Sequence, residues 1–288
     1  MTDMNGIIIK SLSGNYYVKT DSTIILCKAR GIFRKNKISP LPGDTVKISL
    51  TGDDGVIDEI LPRKNALIRP PIANIDIMFI VVATADPDPS LNVTDKLIAV
   101  CEENDIRPII VINKTDIKSP KELEDIYNKA EIETLTVCAH SGEGCEKIKE
   151  LIGSNICAFG GNSGVGKSSI LKALGICDDA EIGEISKISR GKHTTKRVEL
   201  FEAFGGYIAD TPGFGDISYE ECLRATKSEV ASLFREFSKY EGCRFDDCAH
   251  INEPDCAIKT AVENGEIALS RYESYKEIYE ESLKRKNY

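Results

Sequence analysis

Residues 161–168 read Gly161-Asn162-Ser163-Gly164-Val165-Gly166-Lys167-Ser168 and fit the pattern G-x-x-x-x-G-K-[ST]. In this pattern the glycines let successive backbone N–H groups converge on phosphate oxygens, the lysine reaches the terminal phosphates, and the last hydroxyl ligates Mg²⁺. Residues 155–159, apolar from Ile156 onward, predict a short buried strand before the loop, and residues 168–174 predict a helix after it, with Ser169 in its first turn. Strand, loop and helix together favour a phosphate-binding loop over a chance glycine-rich turn.

A second motif, Asn113-Lys114-Thr115-Asp116, lies upstream of this loop. It follows the β-branched run 108–112, which predicts a buried parallel strand, and ligands bind at the carboxyl ends of such strands. An Asp carboxylate can accept two hydrogen bonds from guanine, whereas adenine would leave it unpaired. Alone, the motif would also fit a solvated turn. Residues 138–141, Cys-Ala-His-Ser, follow a further predicted strand and are expected to flank the base.

A third element follows the predicted strand 207–209 and reads Asp210-Thr211-Pro212-Gly213. An Asp at this position can hold Mg²⁺ through water, and the Gly213 N–H can contact a γ-phosphate. The three elements together resemble those of GTPases. The resemblance implies GTP or GDP as ligand, Mg²⁺ as cofactor, and catalytic roles for Lys167 and Gly213.

The order of the motifs departs from that of classical GTPases, in which the phosphate loop comes first and N-K-x-D last. Here Asp116 precedes Gly161 by 45 positions. The chain therefore resembles a circularly permuted GTPase. A circularly permuted ATPase is the alternative class of enzyme.

The catalytic step also departs from the classical pattern, which places a water-orienting Gln after D-x-x-G. Phe214 stands there, and its apolar side chain cannot orient water. Residues 191–195, Gly-Lys-His-Thr-Thr, lie where the first switch is expected. We expect Thr194 or Thr195 to join Ser168 in binding Mg²⁺, and we assign this role to Thr195. We expect His193 to align or deprotonate the attacking water. A mobile, solvent-exposed His193 is the alternative.

A fourth constellation combines three cysteines and one histidine within 14 residues: Cys243, Cys248, His250 and Cys256. Thiolates and imidazole suit a closed, four-coordinate structural zinc site, which leaves no open position for catalysis. The intervening residues 244–247 are too polar to form a core, so a metal would supply folding energy. Reduced surface cysteines beside an incidental histidine are the alternative.

Three domains are expected from the pattern along the chain. Residues 1–64 carry short alternating apolar runs separated by turn residues, which predict a small antiparallel β-barrel of the oligonucleotide-binding type. Residues 65–222 alternate strands and helices and predict the α/β P-loop GTPase domain. Residues 223–288 predict a mainly helical zinc-binding domain.

This arrangement of barrel, permuted GTPase and Cys3His segment resembles the ribosome small-subunit-dependent GTPase A family over nearly the full length. The resemblance implies a GTP hydrolase that binds the small ribosomal subunit and its ribosomal RNA late in assembly and leaves upon hydrolysis. A GTP-dependent RNA-binding module with negligible hydrolysis is the alternative of a different class.

Charge and composition set further expectations. The net charge is −9, yet residues 1–64 hold 10 Lys or Arg against 7 Asp or Glu. Because nucleic-acid binders are basic where they bind, we expect the RNA contact in the barrel, around the basic residues of 30–37, although a solvated loop would look the same. The longest apolar run, 77–83, is too short to span a bilayer, so we expect no membrane partner. We also expect a cytoplasmic location, reduced cysteines and a monomer.

Overall fold

The computed structural model describes residues 4–52, 54–176, 198–210 and 223–284. These residues belong to two compact units, each assembled from separated stretches of the chain. Of the described residues, the first unit contains 4–52, 54–77, 149–159 and 198–210, and the second contains 78–148, 160–176 and 223–284. The domain boundaries expected at residues 64 and 222 come from motif order along the chain and stay predictions.

The amino-terminal strands of the first unit form a closed five-stranded barrel. Its strands are β1 (Met4–Leu12), β2 (Asn15–Lys19), β3 (Ile24–Ala29), β4 (Thr45–Thr51) and β5 (Asp54–Ile60). They follow the order β1-β2-β3-β5-β4, and a β1–β4 pairing closes the circle. The barrel expected from the alternating pattern is therefore confirmed.

Alternation of side chains explains why these segments form a barrel. Along β3, exposed Ile24 and Leu26 alternate with buried Ile25 and Cys27. Successive side chains on a strand point to opposite faces, so one face of each strand fills the interior. A short helix, α1 (Gly31–Lys35), follows β3 and belongs to the basic stretch expected to contact RNA.

Three later strands extend the sheet of the first unit: β11 (Ile156–Gly160), β12 (Glu199–Ala203) and β13 (Gly206–Asp210). They add to β1 in the order β11-β13-β12-β1. Lys10 of β1 pairs with Glu199 of β12 through the backbone, and their side chains form an ion pair of 2.6 Å. Barrel and hairpin thus share one hydrogen-bonded sheet.

The dipeptide Gly205-Gly206 predicts a hairpin turn at those two residues, but the β12–β13 turn lies one residue earlier. Phe204 and Gly205 occupy it, with φ of 53° and 88°, and Gly206 already pairs with Ala203. Positive φ at both central residues is the geometry of a tight hairpin turn. Gly206 is required for space instead, because an added Cβ would lie 2.4 Å from the carbonyl oxygen of Asn155.

The second unit alternates strands and helices along the chain. Its elements are β8 (Ile77–Ala83), α2 (Leu91–Glu103), β9 (Arg107–Asn113), α3 (Lys121–Lys129), β10 (Glu133–Thr136), the first half of α4 (Cys145–Ile152), and α5 (Lys167–Ala173). The two-residue strands β6 (Ala66–Leu67) and β7 (Ile72–Ala73) precede them in the chain and belong to the first unit. The sheet order is β10-β9-β8, with β9 and β10 parallel. The dipeptide Ser119-Pro120 predicts a helix capped by Ser119 with Pro120 as its first residue, but the structure has Pro120 as the capping residue of α3.

The carboxyl-terminal part of the second unit is helical, as expected. Two 3₁₀ helices (Val230–Leu233 and Arg235–Lys239) precede α6 (Ala257–Glu263) and α7 (Leu269–Lys284). Arg271 of α7 is 1% exposed and pairs with Asp95 of α2 at 2.9 Å and with Glu236 at 2.8 Å. Such a pairing fixes α7 against α2, because separating them would leave buried charges unpaired.

None of the helices in the described ranges is long and apolar enough to cross a membrane.

Candidate functional site

The predicted phosphate loop connects β11 to α5. Gly161, Gly164 and Gly166 all have positive φ, of 125°, 82° and 99°. An added Cβ would lie 2.2 Å from the Val81 carbonyl oxygen at Gly161, and 2.2 Å from Asn113 Nδ2 at Gly166. Since only glycine adopts these conformations without strain and fits these spaces, the backbone forms the curled loop that phosphate binding requires.

Lys167 is the first residue of α5 and lies across this loop. Its Nζ donates hydrogen bonds to the carbonyl oxygens of Gly161 at 2.6 Å and Asn162 at 2.7 Å. Ser168 follows in the first helical turn and is half-buried, while Ser163 and Ser169 are exposed. The ammonium and a hydroxyl therefore stand at the mouth of the loop, the two groups that a nucleotide with Mg²⁺ would use.

The predicted base-recognition loop follows β9 and contacts the phosphate loop. Asn113 is 2% exposed, and its Nδ2 donates to the carbonyl oxygen of Val165 at 2.9 Å. Its Oδ1 accepts a hydrogen bond from the Ala139 N–H at 3.1 Å. One buried amide thus joins three segments that are separate in sequence, including the segment expected to flank the base.

The other residues of this loop are arranged around Asn113. Lys114 has a φ of 62°, and its Nζ donates to the carbonyl oxygen of Asp86. Thr115 Oγ1 donates to the Val137 carbonyl oxygen at 3.2 Å. Asp116 is exposed, so its carboxylate is available to a ligand.

Five residues discussed above for Mg²⁺ binding and hydrolysis lie outside the described residues: His193, Thr194, Thr195, Gly213 and Phe214. Asp210 is described only through its backbone, as the last residue of β13. The Mg²⁺ and catalytic assignments of these residues stay predictions.

The Cys3His constellation is a spatial cluster as well as a sequence pattern. The ligand atoms of Cys243, Cys248, His250 and Cys256 all lie within 4.8 Å of one another. His250 Nδ1 lies 3.4 Å from Cys256 Sγ and 3.6 Å from Cys243 Sγ, and the two sulfurs are 3.9 Å apart. Tetrahedral zinc with bonds of about 2.0–2.3 Å has ligand–ligand edges of roughly 3.3–3.8 Å, so the donor set fits zinc.

Aromatic residues of α7 support this cluster. The Tyr272 hydroxyl donates to the His250 carbonyl oxygen at 2.7 Å, and the Tyr275 hydroxyl donates to the Ala249 carbonyl oxygen at 2.5 Å. Burial lowers the pKa of His250, against an opposing effect of Glu253. A lowered pKa favours the neutral imidazole, which is the form that binds metal.

Sequence reasoning missed Thr84, a buried residue directly after β8 that hydrogen-bonds to the base-recognition loop. A polar residue at the carboxyl end of an apolar strand was the available signal. It also missed the buried ion pairs of Arg271, because no local sequence pattern predicts them.

The fold and the motif arrangement define a class: a P-loop GTPase whose base-recognition loop precedes its phosphate loop, joined to an oligonucleotide-binding-type barrel. Two family models match the chain, described as RsgA N-terminal domain over residues 5–57 and RsgA GTPase over residues 60–220. The chain belongs to the RsgA GTPase family. The family resemblance and the fold class inferred from the motifs are thereby confirmed.

Similar proteins match over almost the entire chain. A protein of Caldanaerobacter subterraneus subsp. tengcongensis named small ribosomal subunit biogenesis GTPase RsgA is 43% identical over 96% of this chain and 94% of its own length. The Clostridium beijerinckii protein of that name is 41% identical, over 97% and 98%. The crystal structure of YjeQ from Thermotoga maritima has a TM-score of 0.85 at 36% identity, covering 99% of this chain and 100% of that one. YloQ, described as a circularly permuted GTPase, has a TM-score of 0.80 at 34% identity, covering 100% and 97%.

Proposed function

We propose that this protein hydrolyses GTP to GDP and phosphate and acts in the biogenesis of the small ribosomal subunit. The observation that carries the proposal is the contact between base-recognition and phosphate loops: Asn113 holds Val165 and Ala139 at 2.9 and 3.1 Å. A site built this way receives base and phosphates of one nucleotide. The names of the relatives supply the ribosomal context.

Guanine is the base that this site accepts, because Asp116 offers an exposed carboxylate at its edge. The carboxylate pairs with two donors of guanine, and adenine would desolvate it without compensation. Competition between GTP and ATP for a fluorescent guanine nucleotide tests this. We expect wild type to prefer GTP by at least about 100-fold and Asp116→Asn to lose the preference. Equal binding of ATP by wild type would favour a permuted ATPase.

Phosphate binding belongs to Gly161–Ser168, where Lys167 neutralises phosphate charge and Ser168 would ligate Mg²⁺. The ion would supply further neutralisation of the phosphates. Lys167→Ala is expected to abolish GTP binding, because it removes the ammonium group that lies over the loop carbonyl groups of Gly161 and Asn162. We expect the variant to fold, because Lys167 is only half-buried.

For water activation we propose His193. Thr195 and, through water, Asp210 would hold Mg²⁺, and the Gly213 N–H would contact the γ-phosphate. Support comes from chemistry: Phe214 cannot orient water, and His193 is the one histidine in the sequence between the phosphate loop and the hairpin. Single-turnover hydrolysis by His193→Ala, with and without small subunits, tests the assignment. An unchanged stimulated rate would remove His193 from the mechanism.

The four clustered ligands Cys243, Cys248, His250 and Cys256 bind one structural zinc ion in this proposal. A closed set of four soft ligands leaves no position for substrate. The ion would stabilise the irregular segment between the 3₁₀ helices and α6.

Ribosomal RNA is the expected contact of the barrel, which carries the basic residues of 30–37. We place the protein in the cytoplasm, where small subunits assemble, and we expect it to be a monomer. Co-sedimentation with small and large subunits in GDP or a non-hydrolysable GTP analogue tests the partner. Binding to small subunits without any stimulated turnover would favour the alternative, an RNA-binding module in which nucleotide only gates binding.

A further inference from the structure

Thr84 stands where β8 ends, beside the last residue of β9. It is 2% exposed, and its Oγ1 donates a hydrogen bond of 2.6 Å to the carbonyl oxygen of Lys114. Its backbone N–H donates to the Asn113 carbonyl oxygen at 3.0 Å. One residue therefore binds two consecutive peptide groups of the base-recognition loop.

The peptide that Thr84 binds is in an unfavourable conformation. Lys114 has a φ of 62°, the left-handed region that a residue with a Cβ avoids. Such a conformation costs about 1–3 kcal/mol and persists only where surrounding contacts determine it. The hydroxyl of Thr84 is one such contact, because it satisfies the carbonyl oxygen that the left-handed turn presents.

The segment after Thr84 holds the side chain of the same lysine. The Lys114 ammonium donates to the carbonyl oxygen of Asp86, and an added Cβ at Gly164 would lie 3.5 Å from the Pro87 ring. Residues 84–87 thus contact the base-recognition loop through its backbone and side chain, and they border the phosphate loop.

We infer that Thr84 is a positioning residue for guanine recognition, which holds Lys114 in its left-handed conformation and so aims the Asp116 carboxylate at the base. The inference rests on the proposed guanine-nucleotide site. Thr84 does not touch the ligand in this account. It acts through the loop two residues before Asp116.

The test compares Thr84→Val, which keeps the shape but removes the donor, with Thr84→Ser, which keeps the donor. Dissociation constants for GDP and inosine diphosphate are measured, since inosine lacks the exocyclic amine and makes one hydrogen bond fewer to Asp116. We expect Thr84→Val to weaken GDP binding about tenfold and to shrink the preference of GDP over inosine diphosphate. Thr84→Ser should restore both values.

A merely structural hydroxyl would lower the melting temperature and leave the ratio of the two affinities unchanged, and that result would overturn the inference. Thr20→Val is the matched control, because the Thr20 hydroxyl is also buried and donates to a backbone carbonyl oxygen, that of Thr23, at 2.8 Å. It should change stability alone. Should Thr84→Val fail to fold, Thr84→Ala gives the same readout.

Two further results separate this inference from the proposed function. Loss of affinity in Thr84→Ser equal to that in Thr84→Val would show that the hydroxyl is not the cause, and would overturn the inference alone. Failure of wild type to prefer GDP over ADP would overturn the proposed guanine site itself.

Discussion

Replacing Asn113 by Asp changes one buried NH₂ group into an oxygen and leaves the side-chain shape unchanged. Asn113 Nδ2 donates to the Val165 carbonyl oxygen at 2.9 Å in a site where the residue is 2% exposed. In Asn113→Asp this carbonyl oxygen loses its donor and faces a carboxylate oxygen. An unsatisfied buried acceptor costs about 1–3 kcal/mol, and a buried carboxylate adds to that cost.

The phosphate and base-recognition loops are then no longer held together, so most of this cost should appear as lost nucleotide affinity. About 3 kcal/mol corresponds to roughly a 100-fold rise in the dissociation constant. Isothermal titration calorimetry with GDP measures this rise, and thermal unfolding without nucleotide measures stability separately.

Asn104→Asp is the matched control, because Asn104 Nδ2 donates to the Val100 carbonyl oxygen at 2.8 Å at the end of α2. The same chemical change there should leave the GDP dissociation constant within about twofold of wild type, since only a local helix-end bond worth about 1 kcal/mol is lost. GDP binding by folded Asn113→Asp at wild-type strength would refute the reasoning. Equal weakening by Asn104→Asp would show a global effect instead.

Three other perturbations probe other parts of the molecule. Arg271→Ala leaves two buried carboxylates unpaired and should destabilise the chain by about 3–5 kcal/mol; an unchanged midpoint of urea unfolding would contradict this. Gly161→Ala places a Cβ 2.2 Å from the Val81 carbonyl oxygen at a φ of 125°, so it should cost roughly 2–5 kcal/mol and abolish GDP binding, both measurable by thermal unfolding with and without nucleotide. Cys256→Ser should reduce bound zinc, measured by atomic emission, well below the level of a Cys157→Ser control; equal zinc content would exclude the cluster as the site.

Much of the fold followed from patterns in the chain. Alternating side chains, as along β3, predicted the barrel, and the apolar run 77–83 became fully buried β8. The sequence pattern predicts the wrong position for a turn where two adjacent dipeptides can both form it. The sequence predicts the turn at Gly205-Gly206, but neighbouring backbone, which the local pattern does not contain, leaves little space at Gly206 and places the turn at Phe204-Gly205.

The sequence predicts which residues form the candidate site better than it predicts the hydrogen bonds and ion pairs between them. The glycine, lysine and serine positions of the phosphate loop follow from phosphate chemistry, and Cys243 to Cys256 follow from metal chemistry. The roles of Thr84 and Arg271 did not follow, because a hydroxyl or guanidinium can pair with many partners and only the fold selects one.

The sequence by itself determined the permuted order of motifs, the kinds of strand and helix around them, and the Cys3His set of candidate metal ligands, since each depends on residue types at short spacing. Only the tertiary structure decided which distant groups meet: Asn113 with Val165 across 52 positions, Thr84 with Lys114 across 30, and Arg271 with Asp95 across 176. Hydrogen bonds and ion pairs reach about 3 Å, so such partners are fixed by how strands and helices pack and not by their distance along the chain.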